Sequence, residues 1–193
     1  MLNLSTGPAV EPITLTEAKV HLRVEHTDED EFITGLIVVA RRLLERYTFR
    51  SFITQTWKLT LDEFPGFSDA IRLPNPPILS TDFSIAYQDE NNAAKTLAAT
   101  KYVLDISSEP GRVTPANTET WPSTYDQTGV VVVTYKAGYG AAASTVPDEL
   151  KHAIKLLIGD LYKDRESPDR ERVEMIPKAI QWLCEPYRVF EFR

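Results

Sequence analysis

Apolar positions recur at helical spacing near both ends of the chain and alternate in between. In the first part, Phe32, Ile33, Leu36, Ile37, Ala40, Leu43, Leu44 and Tyr47 fall on one face of a helix. In the last part, Leu150, Ile154, Leu157, Ile158, Leu161 and Tyr162 do the same. Each face needs cover, and the pattern predicts that each helix covers the other. The stretch between them alternates at the two-residue period of strands. The pattern therefore predicts an α+β fold. Residues 1–48 and 146–193 form a small helical bundle, into which residues 49–145 are inserted as an antiparallel β-sheet or sandwich.

Local signals place the elements. Residues 1–11 read as a loose arm, with neither the basic start nor the apolar block of a secretory signal. Thr14 and Glu17 fit a capping box ahead of a short helix that buries Leu15, Ala18 and Leu22. Asp28, Glu29, Asp30 and Glu31 open the long helix, capped by Thr27 or Asp28, and Arg41, Arg42 and Arg46 sit at its far end. Both signs suit the helix dipole. Residues 53–61, 70–73, 78–87, 94–98, 102–106, 113–114 and 130–135 read as strands, the last nearly all apolar and central. Pro147 suits the first position of the late helix. The mixed-charge run 163–174 reads as a solvated, mobile loop. A short helix from Pro177 to about Glu185 should bury Ile180 and Leu183, and Pro186 stops it. The alternating apolar tail Val189 to Phe192 suits a segment that orders only on docking, for instance by adding a strand to a neighbour.

Charge removes one class of function. The net charge is −7, and no part of the chain is basic: residues 1–48 carry 5 basic and 8 acidic side chains, residues 49–145 carry 7 and 10, and residues 146–193 carry 9 and 10. A nucleic-acid footprint shows instead as clustered Lys and Arg. DNA would slide past such a surface without sticking. No apolar run reaches the roughly 20 residues that span a bilayer.

Catalytic and metal-binding patterns are equally thin. His21, His26 and His152 lack the spacing of a helical zinc pair, and Cys184, the only cysteine, reads as a small buried hydrophobe. The acids at 28–31 fit a helix start better than a metal site. Gly138-Tyr139-Gly140 lacks the third glycine of a nucleotide loop. The expectation is a protein with no catalytic residues, no metal and no cofactor.

Several blocks together carry a family likeness. They are Pro12 to Lys19 with His21 to Val24, Asp28 to Asp30 opening a helix that ends in Arg41-Arg42 and Tyr47-Thr48, and Ile53 to Trp57. Ile71 to Pro74 with Pro76-Pro77, Ser107 to Arg112, Ala137 to Gly140, Val146-Pro147 and Pro186 to Arg188 complete the set. In order and spacing the chain resembles the head–tail connector (adaptor) proteins of long-tailed phages and gene transfer agents. The resemblance implies a structural protein of the virion neck, assembled in the host cytoplasm. Its subunits form a ring, expected to be dodecameric, that completes the DNA-filled head beneath the portal protein. It implies three further relations: DNA passes through the channel unbound, the next neck protein (a stopper or tail terminator) docks below, and no membrane is involved.

On that basis residues 176–193 are the expected portal contact, with Ile176, Ile180, Leu183, Tyr187, Arg188, Val189, Phe190 and Phe192 as docking residues. Deleting 186–193 should leave a folded subunit that no longer binds portal. Three rival readings stand beside this one. The β region could bind a carbohydrate through Trp57, Trp121, Tyr125 and Tyr139. The acids at 28–31 could serve a metal hydrolase. The chain could also be a neighbouring neck stopper or tail terminator.

Overall fold

The computed structural model describes residues 1–66, 69–163 and 176–190. The chain divides into a β unit, chiefly Met1–Pro8 with Thr54–Gly138, and a helical unit, Ala9–Ile53 with Tyr139–Phe192. These boundaries differ from the ones the pattern predicts. Residues 50–53 are buried in the helical unit, so the chain leaves it after Ile53. The expected loose arm is a strand. Residues Leu2–Thr6 (β1) pair antiparallel with Gln55–Leu61 (β2), placing Leu2 opposite Leu59 and Leu4 opposite Trp57. Only the partner strand makes so short and polar a segment extended.

The remaining strands are Ile71–Leu73 (β3), Ser84–Gln88 (β4), Ala94–Thr96 (β5), Tyr102–Asp105 (β6), Gly111–Pro115 (β7) and Val131–Ala137 (β8). They form a five-stranded sheet, β1-β2-β8-β4-β5, and a three-stranded sheet, β3-β7-β6. The apolar strand β8 is central, as expected, although its burial alternates, with Val131, Val133, Tyr135 and Ala137 buried. The strand predicted over 78–87 is shorter than expected, because Ile78 makes only an isolated bridge to Ala137 before β4 begins. Both sheets contribute to one core, in which Leu73, Ile85, Val113, Val131, Val133 and Tyr135 are fully buried. The Tyr135 hydroxyl donates to the carbonyl of Pro74 at 2.9 Å, which satisfies its one polar atom.

In the helical unit the helices are Leu15–Leu22 (α1), Asp30–Thr48 (α2), Asp148–Lys163 (α3) and Lys178–Cys184 (α4). The capping box of α1 is formed. Thr14 Oγ1 accepts the Glu17 N–H at 3.2 Å, and Glu17 Oε2 accepts the Thr14 N–H at 2.8 Å. That backbone N–H, chiefly, holds the Glu17 carboxyl below the ordinary glutamate range. The carboxylate half of the cap is thus fully present at neutral pH and lost as the medium is acidified through that range. Thr14→Ala is expected to cost about 1 kcal/mol. Melts between neutral pH and about pH 3 should show both proteins losing stability as Glu17 protonates while most of the gap between them persists, because the Thr14 hydroxyl accepts the Glu17 N–H whatever the charge on the carboxyl.

Helix α2 starts one or two residues later than its run of acids suggests, and neither Thr27 nor Asp28 caps it. Glu29 holds the cap position without a side-chain bond. The nearby carboxylates are engaged elsewhere: Asp30 pairs with Lys19 at 2.5 Å, and Glu29 accepts the Tyr162 hydroxyl. Packing between α2 and α3 buries Ile33, Ile37, Ala40 and Leu44 against Leu150, Ala153, Ile154, Leu157 and Ile158. Arg41, which the sequence places as an end charge favoured by the dipole, is instead buried between Glu11 and Glu45.

Candidate functional site

The C-terminal segment is built on α2 and α3. Ile180 and Cys184, four residues apart, are the inward face of α4. Leu183 is half-buried, short of the full burial expected of it. The short 3₁₀ turn Glu185–Tyr187 follows, and side chains tie it to both longer helices. The Tyr47 hydroxyl donates to Glu185 Oε2 at 3.1 Å, and the Tyr187 hydroxyl donates to Glu149 Oε2 at 2.8 Å. Arg50 Nε donates to the Tyr187 carbonyl, and the Val189 N–H donates to the carbonyl of Thr48 at 2.9 Å. The Arg188 guanidinium lies over the rings of Tyr47 and Phe190, at 5.0 and 5.2 Å from their centres.

This arrangement sorts the expected docking residues. Ile180 and Val189 are buried within the unit. Ile176, Leu183, Tyr187 and Arg188 are half-buried, and Phe190 is exposed. Phe192 lies outside the described residues, as does the charged loop at 164–174. The tail is therefore held by its own subunit as far as Val189, because the end of α2 offers a free carbonyl and an aromatic wall there.

Two features escaped the sequence reading. Trp182, on α4, is 76% exposed. Its signal was available: it sits off the Ile180–Cys184 line, and a large apolar residue off the buried period has no use inside. On α2 the apolar arc is wider than α1 and α3 can cover. Phe32, Val39 and Leu43 remain exposed and Leu36 is half-covered, although Phe32, Leu36 and Leu43 were expected on the buried face. The open groove beside them is lined by Asp28, Glu31, Phe32, Gly35, Leu36 and Val39.

Among the described residues, no group of three or more His, Cys, Asp or Glu side chains is placed to hold a metal ion, and no helix is long and apolar enough to cross a membrane. Burial pushes the Cys184 thiol up to about 11, with help from Glu185, so it stays protonated. Within the β unit the aromatic residues proposed for carbohydrate stacking do not form an exposed platform. Trp121 is buried and stacked on Phe64, with ring centres 5.0 Å apart, Trp57 is half-buried in β2, and of the three only Tyr125 is exposed.

Residues 12–109 match the phage gp6-like head-tail connector protein family. The chain belongs to that family. The connector is accordingly a structural protein of the joint between head and tail, the virion neck. Its fold is that of chains in three solved gene transfer agent (GTA) structures. One is the neck of an empty GTA particle computed with C6 symmetry (TM-score 0.80, 22% identity, covering 100% of this chain and 97% of that one). Another is the virion of a native GTA particle, with the same TM-score, identity and coverage. The third is the neck of a native GTA particle computed with C12 symmetry (TM-score 0.78, 22% identity, the same coverage). No curated protein sequence matches the connector.

Proposed function

We propose that the connector is one subunit of a closed, dodecameric ring that lies against the portal protein, with DNA passing through and the next neck protein docking on the far side. The observation that carries this reading is the end-to-end likeness of fold to a chain in a neck computed with C12 symmetry. Two properties of the chain support it. Its negative charge suits a wall that DNA traverses without adhering. Its helical unit leaves broad apolar surface uncovered, as subunits of a repeating interface do. A non-catalytic role fits the same picture.

Portal docking falls to the C-terminal segment. Ile180 and Val189 anchor it from within. Leu183, Tyr187, Arg188 and Phe190 offer the surface, extended by Ile176, and Phe192 shares the role by its place in the sequence alone. The anchoring changes the choice of truncation. Removing 186–193 also removes Tyr187 and Val189 from the fold of the unit, whereas removing 190–193 leaves every described anchor in place. The shorter deletion is expected to melt like the full chain and to lose co-sedimentation with portal-bearing heads. Full binding by that variant would remove the docking role of the tail end.

A further inference from the structure

We infer that each subunit carries both halves of the ring seam, so that Trp182 of one copy docks in the groove around Gly35 on α2 of the next. The inference rests on the ring reading and goes further by naming the faces that meet.

The receiving half is the partly exposed stripe on α2, where the Phe32 ring lies 6.2 Å from that of Tyr162, Leu36 is half-covered, and Val39 and Leu43 are exposed. Phe32, Leu36, Val39 and Leu43 are spaced by four, three and four residues, which aligns them along the helix. At about 100° per residue the stripe lies roughly a third of a turn from the line Ile33, Ile37, Ala40 and Leu44 that α3 covers. Gly35 sits beside it. A Cβ built on Gly35 would have no atom within 4 Å, so nothing in its own subunit requires a glycine there. A glycine in a helix interior costs about 1 kcal/mol relative to alanine. What it provides here is a hole, walled by Phe32, Leu36 and Val39, of the kind that receives a large knob from a facing helix. The rim is acidic, formed by Asp28 and Glu31.

The inserting half is on α4. Trp182 projects from a helix whose other face, Ile180 and Cys184, is sealed in the core. Lys178, four residues earlier, is exposed and shares the face of Trp182. Among the described residues no ion pair engages Lys178 or Glu31. An aromatic knob with a cation beside it thus matches a hole with an acidic rim. Tryptophan is also the residue most often found at the energetic centre of an interface. Knob and hole lie on different helices of one unit, so each copy can give its knob to one neighbour and its hole to the other, a heterologous contact. It leaves a free knob and a free hole at each step until the rotation closes.

The test is disulfide trapping on connector-free heads. Glu31→Cys with Lys178→Cys in one chain should give, after oxidation, a ladder of bands rising to the full ring. A mixture of the two single variants should stop at dimers. Trp182→Ala should melt like the wild type and raise the concentration needed for ring formation by about tenfold or more. A wild-type ring seen by negative stain, with no ladder from the double variant and unaltered assembly of Trp182→Ala, would place the seam elsewhere and leave the ring reading intact. Loss of tail joining in Trp182→Ala with normal rings would assign the tryptophan to the next neck protein and overturn the inference. Absence of any wild-type ring on heads would overturn both.

Discussion

Replacing Arg41 with methionine is expected to destabilise the helical unit by about 3–5 kcal/mol, the usual cost of stripping one partner from a buried ion pair. Arg41 is 4% exposed in its side chain and reaches two carboxylates. Its Nε and Nη2 donate to Glu11 at 2.7 and 3.2 Å, and its Nη1 donates to Glu45 at 2.6 Å. Glu45 is itself nearly enclosed and also accepts the N–H of Phe52 at 2.8 Å. Burial already holds the Glu45 carboxyl above the ordinary glutamate range against the pull of Arg41. Without the guanidinium that carboxyl rises further.

The sign of the pH effect follows. A folded-state value raised above the unfolded one favours the fold below the unfolded value, and that advantage is lost as pH rises through the folded value. The deficit of Arg41→Met should therefore shrink as the buffer is taken from neutral pH to about pH 5. Adding Glu45→Gln should recover part of it at neutral pH. Thermal melts should show a loss of roughly 10 °C for the single variant, given about 2–4 °C per kcal/mol at this chain length. A melt within a degree or so of wild type would show that the cluster contributes little.

Phe52→Ala is expected to cost about 3–5 kcal/mol, comparable with the loss of Arg41 but by a different route. Phe52 is fully buried at the point where the chain leaves the helical unit. Its N–H is bound to Glu45, and its carbonyl accepts the N–H of Tyr139, where the chain returns. Truncation leaves a cavity among α2 and α3 side chains beside a backbone fixed on both sides, so the site cannot collapse to fill it. Phe52→Leu keeps most of the volume and should cost less than half as much. Chemical denaturation of the three proteins measures both values. Equal losses for alanine and leucine would point to lost ring packing with its neighbours instead of to the cavity.

The two substitutions also mark where sequence reasoning reaches its limit. Phe52 lies in an apolar pair next to a readable strand, but nothing local says whether it belongs to that strand or to the helices. Arg41 sits near the end of a helix, where the dipole alone justifies a cation. Its partner Glu11 lies thirty positions away in a segment that reads as a loose arm. The same holds for β1, whose extended form depends on the edge of β2. It holds too for the tail, which the end of α2 captures as far as Val189.

What the sequence by itself determined were the features whose cause is local. The period of the apolar residues placed α2, α3 and β8, because an apolar face in water must be buried whatever covers it. The hydroxyl and carboxylate of Thr14 and Glu17, three residues apart, placed the start of α1, because both halves of a capping box lie within one turn. The ordered blocks from Pro12 to Arg188 placed the chain among the connectors. The tertiary structure alone decided which part of each apolar arc is covered. Periodicity reports how wide an arc is, while the covered share depends on the few helices available to pack against it. On α2 those helices leave Phe32, Val39 and Leu43 outside, and on α4 they leave Trp182.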